Sequence, residues 1–167
     1  MIKNLLRKFL YASLIVIVGL QFYQPSRNDS GDNSKSVETR FEIPVDVKSV
    51  LEQSCYDCHS NYTNYPWYAN IQPVGIWLQN HIKDGKKHLN FSTLGDRPAY
   101  LQQHKMEEIE EMIREDEMPM RSYTLIHRAA ALNASQKEAI IKWTKVVRDS
   151  LAARFPLDSL RMPARKK

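Results

Sequence analysis

Cys55 and Cys58 are the chain's only cysteines, and His59 follows them directly in the string CYDCH. Two thiols three residues apart, with an imidazole on the same turn, carry the attachment signature of a c-type haem. The thiols would close thioethers with two vinyl groups of one macrocycle, and the imidazole one turn from Cys55 would reach the iron from one side. A C-x-x-C pair also marks thiol–disulfide exchange, half of a zinc site or a plain structural disulfide. A redox dithiol of the thioredoxin kind follows an apolar strand, whereas Val47, Val50 and Leu51 stand ahead of the motif at helical spacing. Zinc would have to recruit distant histidines, with no second cysteine pair to help. One covalent haem per chain uses all three positions at once.

An iron held by one histidine has a second open face, and the group that fills it separates an electron carrier from a gas binder or a haem enzyme. The candidates are Met106, Met112, Met118, Met120 and Met162, with His81, His88, His104 and His127. Met106 and Met112 fall inside a helical pattern and read as core or surface. Met118 and Met120 flank Pro119 in EDEMPMRSY, where proline forbids helix and a side chain is presented from a loop. His81 sits on an apolar helix face and keeps bis-histidine ligation open, and His127 in YTLIH is placed to bond a propionate, the loop backbone or the iron. His88 and His104 read as surface residues. Of the aromatics in SNYTNYPWYANIQP, Tyr65, Trp67 and Tyr68 are expected to line a haem crevice or cap the core, with Trp67 or a tyrosine at the haem edge.

These residues need helices to hold them. A first helix from Asp46 to Cys55 would deliver the cysteines at its C-terminal end. Residues 60 to 73, rich in turn formers and aromatics, read as an irregular wrap. A second helix is expected from Pro73 to Lys87, with Val74, Trp77, Leu78, His81 and Ile82 on one face. A third runs from Pro98 to Asp116, burying Leu101, Ile109, Met112 and Ile113 and turning an acidic face (Glu107, Glu108, Glu110, Glu111, Glu115) to solvent or to a basic partner. Ser135 and Glu138 form a capping box for a last helix carrying Ile140, Trp143, Val147 and Leu151. No stretch alternates like a strand, and the class is all-α.

The chain has 167 residues, with three Trp, eight Tyr and five Phe, enough for one core and too few residues for two large domains. Its net charge of +5 is confined to the ends: Lys3, Arg7 and Lys8 contribute three, and Arg161, Arg165, Lys166 and Lys167 four, which leaves residues 25–160 at −2. Nucleic acid is therefore excluded as a partner. The run FLYASLIVIVGL at 9–20 behind basic residues is an export signal, and the absence of an A-x-A site after it favours an uncleaved anchor. Lys and Arg on its N-terminal side would keep that end in the cytoplasm. The expected organisation is a signal-anchor segment at 1–24, a flexible tether at 25–43 (PSRNDSGDNSKSVETR and its sequel), a haem domain at 44–160 and a basic tail at 161–167. The domain would then lie in the periplasm of a bacterial cell, anchored in the cytoplasmic membrane.

Three segments together, CYDCHSNYTNYPWY at 55–68, IQPVGIWLQNHIKDGKKHLNFS at 71–92 and EMPMRSYTLIHRAAALNASQKEAIIKW at 117–143, resemble the small exported haem-binding domain proteins. The likeness covers roughly residues 44–145. It implies a cytochrome-c-like helical fold around one covalent haem, with His59 proximal and the methionine of the Met-Pro pair, Met118, distal. Met120, where the family often has another residue, is a second candidate, and His81 and His127 are further ones. On this reading the chain is a membrane-tethered carrier of single electrons between redox partner proteins and not an enzyme. The alternative is a haem-based gas sensor or haem enzyme with a labile distal ligand.

Overall fold

In the computed structural model the described residues are 2–163, so Arg165, Lys166 and Lys167 of the basic tail lie outside them. Eight α-helices follow in order: α1 (Ile2–Leu20), α2 (Val45–Ser54), α3 (Tyr56–His59), α4 (Val74–His88), α5 (Phe91–Leu94), α6 (Ala99–Arg114), α7 (Arg121–Thr124) and α8 (Ala134–Arg154). Short 3-10 turns stand at Val37–Thr39, Trp67–Asn70, Arg128–Ala130 and Leu157–Leu160, and no strand occurs among the described residues. The all-α class is thus borne out. So are the four main helices around the cysteines and the C-terminal third.

The main core forms where α2 and α6 pack on α8. Val47, Val50 and Leu51 from α2 meet Met106, Ile109 and Ile113 from α6 and Ile140, Trp143, Val147 and Leu151 from α8. Burying each of the larger of these side chains stabilises the fold by about 1.5–3 kcal/mol. Met106, fully buried, takes the place expected of Leu101 and Met112, which are only half-buried. The Trp143 indole is buried and donates to the Glu42 carbonyl at 3.1 Å, so its one polar atom is satisfied. The acidic face of α6 is partly tied down by Arg148 of α8, which bonds Glu107 and Glu110 at 3.2 and 3.1 Å.

Two expectations are corrected. The last helix is capped by Asn133 and not by Ser135: the Asn133 side chain accepts from the Gln136 N–H, and Gln136 accepts from the Asn133 N–H, each at 2.9 Å. Asn-x-x-Gln satisfies the same geometry as Ser-x-x-Glu two residues earlier, and the Ser135 hydroxyl donates to Asn133 at 2.7 Å instead. The stretch read from composition as a free tether is folded against the domain. Val37 and Phe41 enter the main core, the Gly95 N–H donates to the Lys35 carbonyl, and the Gly31 N–H donates to the Asn61 carbonyl. Asn28 is buried, donating to the Ser60 carbonyl at 3.0 Å and to Thr63 Oγ1 at 2.8 Å while accepting from Lys86 at 2.5 Å.

α1 has 19 residues, about 28 Å of helix. Its apolar side chains stand exposed, among them Phe9, Leu10, Leu14 and Ile15. Among the described residues no helix is long and apolar enough to cross a membrane. In α1 the reason is Lys3, Arg7 and Lys8, which occupy its first two turns and leave only Phe9–Leu20 free of charge.

Because Asn28 holds three polar groups of the loop and of α4 in place, Asn28→Ala strands them without partners. The expected loss is about 1–3 kcal/mol of stability. Thermal denaturation together with limited proteolysis of residues 25–40 checks it; unchanged stability would return that stretch to a free tether.

Candidate functional site

The Cys55 carbonyl ends α2 by accepting the N–H groups of Cys58 at 3.2 Å and of His59 at 2.9 Å. Both thiols and the imidazole are thereby carried on one short turn, α3, whose side chains are half-buried at the edge of the core. Against that turn lies the C-terminal part of α4. The approach is close at Gly85: a Cβ there would sit 2.8 Å from the Cys58 carbonyl oxygen and 3.3 Å from the Cys58 Cβ.

The same end of α4 orients His59. Its Nδ1–H donates to the carbonyls of both Gly85 and Leu89, each at 3.1 Å. The Leu89 carbonyl stands at the end of α4, where no further turn supplies a donor, while the Gly85 carbonyl also accepts the Leu89 N–H at 2.9 Å. Tethering Nδ1 fixes the tautomer and leaves Nε2, with its lone pair, to bind something else; no described residue hydrogen-bonds to it. Burial pulls the His59 pKa below its ordinary value, against the two carbonyl bonds that raise it, so the ring stands neutral. Burial pushes the Cys55 thiol up to about 12 and, with Asp57 beside it, the Cys58 thiol up to about 11. Both cysteines are free, and among the described residues no group of three or more His, Cys, Asp and Glu could hold a metal ion. A neutral imidazole with one free nitrogen, backed by two thiols on its own turn, fits an iron porphyrin.

Asp57, the third residue of CYDCH, ties two loops to this turn. Its carboxylate accepts from the Asn64 N–H at 2.9 Å and from the Tyr123 hydroxyl at 2.9 Å, and its carbonyl accepts from Thr63 at 2.5 Å. Burial first, and Asp57 next, push the Tyr123 pKa upward, so the phenol remains a donor. Tyr123 lies on α7, one turn beyond the Met118-Pro119-Met120 loop, whose Met120 carbonyl accepts the Tyr123 N–H at 3.0 Å. The loop itself begins where α6 stops: Asp116 takes a left-handed φ of 58°, and the Glu117 N–H returns to the Met112 carbonyl at 3.0 Å. Met118 and Met120 emerge from it half-buried.

The other expected residues are placed as follows. The Tyr65 hydroxyl donates to Gln79 at 2.6 Å and accepts from the Asn28 N–H at 2.8 Å, and its ring packs in a small second cluster with Cys58, Tyr68, Leu78 and Ile82. Trp67 is 76% exposed and touches Tyr68 edge-on, so it lines no crevice in this arrangement. His127 is held by the Tyr68 hydroxyl at 2.6 Å and stacks on Tyr123 at 4.5 Å. His81 bonds the Trp77 carbonyl one turn back at 2.9 Å and lies against its indole. His104 pairs with Glu108, and His88 is exposed. A cavity of about 690 Å³ opens between residues 31–39, α2 and α5; Tyr56 and Asp57 line it, but the two cysteines, His59 and Met118 do not. Asp57, Tyr123, Gly85 and Leu89 are the site residues that sequence reasoning missed. All four lie in the quoted family segments, yet nothing in one sequence says that they meet.

A family model described as a haem-binding domain matches residues 15–146. No curated protein and no solved structure matches the chain.

Two substitutions test this geometry without touching a ligand. In an ordinary helix interior Gly→Ala gains about 0.5–1 kcal/mol. Gly85→Ala should instead cost about 1–3 kcal/mol, because the new methyl collides with the Cys58 backbone. Thermal unfolding reads the sign. Tyr123→Phe should cost about 1–3 kcal/mol by leaving the Asp57 carboxylate short of one donor, and it should lose most of its effect in an Asp57→Asn background, as a double-mutant cycle would show.

Proposed function

The chain belongs to the haem-binding domain family, and from that premise we propose that it is a membrane-tethered monohaem c-type cytochrome that passes single electrons between redox partner proteins. The observation that carries this reading is the fixing of His59 Nδ1 by the Gly85 and Leu89 carbonyls directly behind the cysteine pair. Bound there, the haem would supply a one-electron iron couple. Cys55 and Cys58 would hold it through thioethers, and His59 would present Nε2 as the proximal ligand, its basicity raised by the two carbonyls. Met118 would supply the iron with a second ligand, a sulfur. A sulfur ligand raises the potential and leaves no site for substrate, which suits a carrier. His81 and His127 are engaged by Trp77 and Tyr68, which supports a sulfur ligand over a second histidine. Met120, the residue that precedes α7, is the sulfur alternative.

The proposed location draws its support from α1. Its charge-free run from Phe9 to Leu20 is by itself shorter than a full span, so an anchor with its N-terminus in the cytoplasm and its domain in the periplasm would draw on Leu5 and Leu6 as well. Arg7 and Lys8 would snorkel toward the headgroups.

Spectra of the protein matured with the haem-attachment machinery test the reading. Wild type should keep its haem through denaturation, show a low-spin spectrum with the far-red sulfur-to-iron band, and bind carbon monoxide poorly when reduced. Met118→Ala should lose that band and bind carbon monoxide. A high-spin wild type that binds carbon monoxide would move the assignment to gas sensing or catalysis, and haem lost on denaturation would remove covalent attachment.

A further inference from the structure

The end of α1 is fastened to the haem domain. After Leu20 the chain makes one further turn, with Gln21, Phe22 and Tyr23 donating their N–H groups to Val18, Gly19 and Leu20. The Gln21 side chain then forms two hydrogen bonds to the backbone of one residue: it donates to the Gln72 carbonyl at 3.0 Å and accepts from the Gln72 N–H at 2.9 Å. Gln72 is 2% exposed and sits at the entry to α4, so the clip joins α1 to a rigid part of the domain. Arg27 adds a second fastening, donating to Asn70 Oδ1 at 2.5 Å and covering the Tyr65 ring. Beside these fastenings stand six exposed apolar or aromatic side chains: Phe22 and Tyr23 on the turn after α1, and Trp67, Ile71, Val74 and Trp77 on the stretch that holds Gln72. Single exposed apolar residues are ordinary, but six of them within about five residues of Gln21, Asn70 or Gln72, on two segments that these bonds bring together, mark a surface with a partner.

We propose that this patch rests on the lipid bilayer at headgroup depth, so that the haem domain is held in one fixed orientation on the membrane and does not swing above it. The occupant is set by chain continuity. The apolar run of α1 ends within one turn of Gln21, so the medium that takes Phe9–Leu20 is within reach of the patch. The composition agrees, because Trp and Tyr prefer the membrane–water interface, where a ring is half-buried and its polar atom stays wet. The inference rests on the membrane-anchor reading of α1 and goes beyond it, since an anchor alone leaves the domain free to rotate.

The test introduces single cysteines into the full matured chain, reconstituted in vesicles of phosphatidylethanolamine and phosphatidylglycerol, and follows their modification by a bulky, membrane-impermeant maleimide. Ile71→Cys and Val74→Cys probe the patch, Leu14→Cys the anchor, and Val146→Cys the exposed side of α8. Positions 71 and 74 should react several-fold more slowly than 146, and position 14 more slowly still. Adding Gln21→Ala should bring 71 and 74 up to the rate at 146 while 14 remains protected. Fast reaction at 71 and 74 with 14 protected overturns the docked orientation and leaves the anchor standing, and fast reaction at 14 overturns both. Protection at 71 and 74 that vanishes when the protein is diluted into more lipid would assign the patch to a second copy and overturn the bilayer. The unsubstituted chain, denatured before labelling, reports separately on the haem reading: Cys55 and Cys58 stay silent as thioethers and react if they are free.

Discussion

The bifurcated hydrogen bond from His59 Nδ1 to the Gly85 and Leu89 carbonyls is the contact on which the site depends. It solves two problems at once. The Leu89 carbonyl at the end of α4 needs a donor from outside the helix, and an imidazole that is to ligate a metal needs one nitrogen tied and the other free. Both needs are met only if α4 comes against the Cys-x-x-Cys-His turn closely enough, and Gly85 is what allows it, since any side chain there would meet the Cys58 backbone. The helix therefore acts as a backstop for the histidine. Its other end is fixed by Gln72, whose side-chain oxygen accepts the Ile76 N–H at 2.9 Å.

The larger core serves the site indirectly. α2 reaches the cysteines because Val47, Val50 and Leu51 are locked onto α8, and α6 delivers the Met118 loop because Met106, Ile109 and Ile113 are locked there too. One apolar cluster thus sets the ends of both elements, and Asp57 joins those ends by its bond to Tyr123. A carboxylate inside the Cys-x-x-Cys-His turn is well suited to this. It lies on the turn that must not move, and it can accept from two loops at once.

Much of this was legible in the sequence, because helical periodicity and the C-x-x-C-H spacing are local signals. The four helices that position the site emerged from apolar residues three and four apart, and their ends fell within a few residues. What could not be read involves partners distant in the chain. Asn28, Ser36 and their neighbours look like linker by composition, since Ser, Asn, Asp and Gly carry no core material. Here Asn28 and Ser30 of that stretch donate to the Ser60 and Asn61 carbonyls of an irregular loop, and a segment that buries only Val37 and Phe41 in the core is held largely by polar contacts. The outward placement of Trp67 has the opposite origin. An aromatic in a haem-protein loop suggests a crevice, but its neighbours Tyr65 and Tyr68 fill the interior positions and leave it outside.

That outward tryptophan gains a meaning once the stretch 21–28 is seen to be fastened along residues 60–72. A swinging tether lets a carrier sample many orientations and reach distant partners. A clipped one restricts the search to partners at a fixed height above the membrane and presents the same edge to each. Such a restriction costs reach but raises the fraction of encounters that are productive, because the orientational part of docking has been settled in advance. On the proposed docking, the polar residues between α1 and α2 would be the bracket that fixes which side of the domain faces the bilayer and which side is left for a redox partner.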